Sequence, residues 1–112
     1  PHSDAEWRFL TEHVVRRESD GSYRMHYDPA IAQPFMSGLN GQDIDVWPMY
    51  DAIRCPTLLL RGDLSDLLTN DTAMMMAKRG PMARRVEFPY VGHAPTLMHE
   101  DQIGVVRNFL ME

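Results

Sequence analysis

Apolar positions fall into two regimes along the chain. In SDAEWRFLTEHVVRRESDG, Trp7, Leu10 and Val14 recur at helical spacing. Ser3 stands three residues ahead of Glu6, so its hydroxyl can accept from the Glu6 N–H while the Glu6 carboxylate reaches back to the Ser3 backbone. Asp20-Gly21 stops the run, and a helix over about residues 4 to 18 is expected. SYRMHYDP then alternates briefly, as a short extended piece before Pro29 would. Residues 28–50 hold no period: Pro29, Pro34, Pro48, Gly38 and Gly41 interrupt them. They read as a connecting region laid over the surface, with Phe35, Trp47 and Tyr50 as anchors.

From Asp51 the pattern tightens. CPTLLLRG is a continuous apolar run closed by glycine, the pattern of a strand buried on both faces of a parallel sheet. TNDTAMMMAKRGP has Thr69 or Asn70 as N-cap, Asp71 in the first turn, Lys78-Arg79 in the last and Gly80-Pro81 as a stop. ARRVEFP is a second short strand. EDQIGVVRNFLME places Ile103, Val106, Phe109 and Leu110 on one face of a closing helix. Strand, helix, strand, helix implies an α/β class with a right-handed parallel crossover. Two parallel strands leave both sheet edges open, whereas buried parallel sheets carry several more strands. The second half therefore reads as the last part of a larger α/β sheet, incomplete as a stand-alone domain.

Composition narrows the function. The 112 residues allow one domain at most, and 44% hydrophobic with 24% charged residues describe an ordinary globular chain. A net charge of -5 argues against nucleic acid, and the Arg16-Arg17 and Arg84-Arg85 pairs are too short to neutralise a row of phosphates. No apolar run approaches the roughly 18 residues of a membrane span. The single cysteine, Cys55, fits a reducing compartment, and with no visible signal peptide the cytoplasm is the expected location. The chain opens Pro1-His2 without an initiator Met, as a piece of something longer would.

YDAIRCPTLLLRGDLSDLL, followed by VEFPYVGHAPTL and then DQIGVVRNFL, resembles the C-terminal part of the α/β-hydrolase fold. In that family the penultimate strand ends in glycine with the catalytic acid in the loop after it. The last strand leads into a Gly-His carrying the catalytic histidine, and a helix closes the fold. The resemblance covers about residues 47–112; residues 1–46 resemble, more weakly, the end of the cap and the chain returning from it. It implies hydrolysis of esters or lactones by a Ser-Asp-His triad, with a small-molecule substrate and no cofactor. His93 would be the base and Asp66 the acid. Many relatives carry the acid three residues after the strand-ending glycine, where this chain has Ser65; the Ser-Asp pair makes Asp66 the better choice, with Asp63 as fallback.

Both loops would leave the carboxyl ends of neighbouring parallel strands, where open α/β sheets place their sites. A carboxylate there would hold one ring nitrogen of His93, fix its tautomer and stabilise the imidazolium, leaving the other nitrogen to take a proton. The nucleophile itself is missing. None of Ser3, Ser19, Ser22, Ser37 or Ser65 sits in G-x-S-x-G. Cys55 begins the strand and should lie on the order of 15 Å away at its opposite end. The chain alone is thus expected to be inactive, pairing its open edge with the missing half of the fold or with another copy. The rival reading is a non-catalytic ligand-binding module on the same fold. A metal site from His93, His99 and Asp101 lacks a helical i, i+4 ligand pair. Arg61-Gly62-Asp63 reads as turn chemistry, and the inward-facing members of Met74-Met75-Met76 as core packing against the sheet.

Overall fold

A computed structural model describes residues 2–38 and 44–112, which form two compact units, 2–44 and 45–112. In the first, α1 (Asp4–Val14) starts from the expected capping box: Ser3 Oγ accepts from the Glu6 N–H at 3.3 Å and Glu6 Oε2 accepts from the Ser3 N–H at 2.7 Å. It stops four residues short of the expected end. Val15, β-branched after another valine, turns extended (φ -123°, ψ 136°) and opens β1 (Val15–Arg17), which pairs antiparallel with β2 (Tyr23–Met25). The intervening turn places Gly21 at φ 85° and seals itself with a bond from the Ser22 N–H to Asp20 Oδ1. The residues expected to finish the helix thus make a hairpin. A 3-10 turn (Pro29–Ala32), capped by Asp28 on the Ala30 N–H, leads into α2 (Gln33–Gly38).

The second unit begins with α3 (Trp47–Asp51), where Trp47 and Tyr50 meet edge-to-face at 5.6 Å. Both are half-buried, as expected of anchors; the side chain of Phe35 lies outside the described residues. Tyr50 donates its phenol to the Met76 carbonyl at 2.7 Å, and burial raises its pKa. Then follow β3 (Leu58–Gly62), α4 (Asn70–Met76), β4 (Arg84–Phe88) and α5 (Glu100–Met111). Thr69 caps α4 by accepting from the Thr72 N–H. α4 ends before Lys78 and Arg79. Arg79 instead grips the Asp51 carboxylate and lies 4.4 Å from the Trp47 ring centre.

β3 and β4 pair in parallel, in register from Leu58 opposite Arg84 to Gly62 opposite Phe88. Among the described residues this sheet has two strands, and so has the hairpin sheet. The sequence pattern anticipated a strand covered on both faces, but Leu58, Leu59 and Leu60 are only half-buried. Among the described residues no third strand pairs with β3 or β4. The buried apolar residues described are Ala73, Ala83 and Phe88, and no large side chain is fully enclosed. On α5, Ile103, Val106 and Phe109 are half-buried as patterned, while Leu110 is exposed and Gln102 is buried in its stead. No helix among the described residues is long and apolar enough to cross a membrane.

Candidate active site

Parallel register brings the ends of β3 and β4 side by side, and the two loops leaving them interlock. The Asp63 N–H donates to the Phe88 carbonyl at 3.0 Å and the Leu64 N–H to the Val91 carbonyl at 3.1 Å. Gly62 sits beneath this crossing. A Cβ built there would lie 2.0 Å from the Gly92 carbonyl oxygen and 2.2 Å from that of Val91, so only glycine lets the backbones meet. Beyond β4, Tyr90 adopts the left-handed region (φ 60°) and swings the chain from strand direction into the loop that carries His93.

At the rim His93 Nδ1 lies 2.9 Å from Ser65 Oγ. Ser65 is buried, whereas the His93 side chain is exposed and its Nε2 has no hydrogen-bond partner among the described residues. Ser65 Oγ also accepts from the Leu68 N–H at 3.1 Å, and the Ser65 N–H closes a turn onto the Gly62 carbonyl at 3.0 Å. Under the loop lies Arg61, 6% exposed. Its Nε donates to the Leu68 carbonyl at 2.7 Å, its Nη2 to the Ser65 carbonyl at 3.2 Å and its Nη1 to Glu87 Oε2 at 2.7 Å. Hydrogen bonds from Arg85 and then Arg61 hold Glu87 below its ordinary carboxylate value. One guanidinium thus ties β3 to β4 and pins both ends of the Ser65 turn.

The two loops expected to meet do meet, but through a different residue. Asp66 and Asp63 are both exposed, and neither makes a hydrogen bond or ion pair with His93. The reason is local: the turn that buries Ser65 against the imidazole sends the next side chain outward. Arg61 is no ornament of a turn; it is the buried prop of the loop. An arginine inside an apolar run was the available signal, since a buried charge needs partners nearby. Cys55, exposed, precedes β3 and so lies at the other end of the pair.

In the 2–44 unit a concavity of about 620 Å³ is lined by Arg16, Arg24, His26 and Tyr27 among others. Its lining is exposed, and Glu18 approaches Arg16 at 2.9 Å and Arg24 at 3.9 Å. It contains none of the residues just described. Among the described residues no group of three or more His, Cys, Asp or Glu side chains could hold a metal ion.

A two-stranded parallel pair whose glycine-ended strand and histidine loop lock together in this way has the fold of part of an α/β-hydrolase sheet. The chain is 35% identical over 115 residues to the 3-hydroxybutyrate-oligomer hydrolase of Cupriavidus necator, a match covering 96% of this chain and 39% of that protein. Among solved structures it superposes on an α/β hydrolase from Novosphingobium aromaticivorans with a TM-score of 0.79 and 34% identity, covering 98% of this chain and 39% of that one. E-2-(acetamidomethylene)succinate hydrolase shares the fold with a TM-score of 0.70 at 22% identity, over 94% of this chain and 38% of its own. These relatives are hydrolases, and the chain spans about two fifths of their length. No protein-family model matches the chain.

Proposed function

We propose that this chain supplies the histidine-bearing rim of an ester hydrolase, with His93 as general base. The observation that carries the reading is the His93 ring, anchored through Nδ1 at 2.9 Å on a buried turn and open at Nε2. That is the geometry a base needs to reach an incoming nucleophile. The nucleophile and the oxyanion donors would come from the part of the fold that the relatives have and this chain does not span. The ester class agrees with a relative named for hydrolysing 3-hydroxybutyrate oligomers. Asp66 remains the proposed acid if the turn opens during turnover, releasing Ser65 from the ring. The open edges of β3 and β4 would be covered by that same missing part or by a second copy.

In a full-length protein carrying this chain, His93→Ala should cut p-nitrophenyl ester hydrolysis by on the order of 10⁶-fold, because triad members act as a unit. Asp66→Asn should lower it far more than Asp63→Asn. The 112-residue chain alone should show no labelling by a fluorophosphonate probe and a non-monomeric mass by light scattering. Full activity in His93→Ala would end the catalytic reading. One observation favours a second reading, a binding module: the ring is met by a neutral hydroxyl where a hydrolase would place a carboxylate. Tight ester binding without turnover by the full-length protein would select it.

A further inference from the structure

Arg61 carries a buried charge into the rim, and among the described residues the carboxylate paired with it is that of Glu87. Parallel register sets the two residues directly opposite each other, with Arg85 two positions back on the same face of β4. Both guanidiniums converge on one oxygen: Arg61 Nη1 donates to Glu87 Oε2 at 2.7 Å, and Arg85 Nη2 donates to the same atom. Each cation then reaches a different part of the segment between β3 and α4. Arg61 holds the carbonyls of Ser65 and Leu68, which lie on either side of Asp66. Arg85 Nη2 donates to Oδ1 of Asn70, the first residue of α4, at 2.6 Å. A single carboxylate on β4 thus governs the middle and the far end of the 63–69 loop. The same strand runs on through Phe88, whose carbonyl takes the Asp63 N–H at 3.0 Å, toward the loop of His93.

We propose that Glu87 is a positioning residue of the proposed hydrolytic site: acting through Arg61 and Arg85, it fixes how the 63–69 loop faces His93. This role rests on His93 being the base, as proposed above, and it falls to a residue with no hydrogen bond to the imidazole. The physical reason is the cost of an uncompensated buried charge. Glu87 neutralises Arg61 in place, so the guanidinium stays under the turn and keeps its fork on the two carbonyls. Without that carboxylate the cation is drawn toward solvent. The turn that brings Ser65 Oγ to 2.9 Å from His93 Nδ1 then loses its braces. An exposed pair on the same strand has no such leverage: the Arg84 and Glu112 side chains are 47% and 61% exposed and tie β4 to the last residue instead.

In the full-length protein, Glu87→Gln keeps the shape of the side chain and removes its charge. It should lower kcat on p-nitrophenyl butyrate by on the order of tenfold with KM little changed, inside the roughly 10²-fold that a displacement of about 1 Å can cost. The ring resonances of His93 should move in the same variant. Arg85→Met, which spares Arg61 and its bonds, should produce smaller changes of the same kind. Glu112→Gln, which breaks only the exposed pair, should alter neither kcat nor the ring. A lower melting temperature in Glu87→Gln with kcat and the His93 resonances unchanged overturns the proposal, and so does an equal loss of kcat in Glu112→Gln. If Glu87→Gln fails to fold, unchanged kcat and resonances in Arg85→Met overturn it as well. If His93→Ala keeps full turnover while Glu87→Gln still moves the ring, His93 is not the base, and the link from Glu87 to the loop is upheld.

Discussion

Residues 2–44 and 45–112 are held together by different kinds of interaction. In the first unit none of the described residues is buried, and each element is closed by partners a few positions away: Ser3 with Glu6, Asp20 with Ser22, Asp28 with Ala30. In the second the decisive contacts reach 26 to 28 residues along the chain: Arg61 with Glu87, Ser65 with His93, Asp51 with Arg79, Tyr50 with Met76. Caps and tight turns need no core, so they form wherever the local residues permit. A rim at which two loops interlock exists only after the strands have paired. The proposed site therefore lies in the second unit, where position is imposed from several directions at once.

Two glycines test that contrast most severely. Gly62→Ala should cost about 3 kcal/mol or more, because a Cβ there strikes carbonyl oxygens that belong to a packed crossing. Gly21→Ala meets nothing closer than 3.8 Å and is penalised only by its φ of 85°, a cost of about 1–2 kcal/mol. Urea unfolding of both variants measures the ratio. Equal losses would mean that the loop crossing is no tighter than a hairpin turn.

Arg61→Leu comes next. It leaves the carbonyls of Ser65 and Leu68 without their donor, and an unmet buried acceptor costs about 1–3 kcal/mol. Beyond the lower melting temperature, the His93 ring resonances should move, since the turn holding Nδ1 loses its prop. A drop in melting temperature with unchanged His93 signals would confine Arg61 to a structural tie between the strands.

Acid sharpens the comparison further. Hydrogen bonding to Arg79 lowers the Asp51 pKa from its ordinary value of 3.8, and Arg85 with Arg61 lower that of Glu87 from 4.5. Groups depressed in the folded state stabilise above their unfolded pKa and lose that contribution as pH falls through the folded one. Stability should hold from neutrality to about pH 5 and decline below it. Asp51→Asn should flatten part of that decline in a denaturant titration at pH 5 and pH 3; an unaltered slope would refute the assignment. The smallest effect belongs to the first unit. Ser3→Ala should cost about 1 kcal/mol of α1 stability, visible as fraying by circular dichroism.

Much of this was legible in the residues because the signals were short-range. The Ser3–Glu6 box, the Thr69 cap, the Gly62 stop and the Gly-His after β4 each declare themselves within a few positions. Val14-Val15 misled in the same local terms: apolar spacing extended the helix, while β-branching and the turn at Asp20-Gly21 drew those residues into a hairpin. Leu110 fits the apolar stripe of α5 and yet stays exposed, because helical spacing names a face without saying what covers it.

The amino-acid sequence by itself determined the two strands of the second unit, the helix between them and the helix after them, their parallel order, and which histidine follows the last strand. The tertiary structure alone decided that Ser65 rather than Asp66 meets His93, and that Arg61 turns inward to brace the loop. The physical reason is geometric. Adjacent side chains in a tight turn point in different directions, and which one faces a neighbouring loop depends on the phase of the turn, which hydrogen bonds from distant residues set.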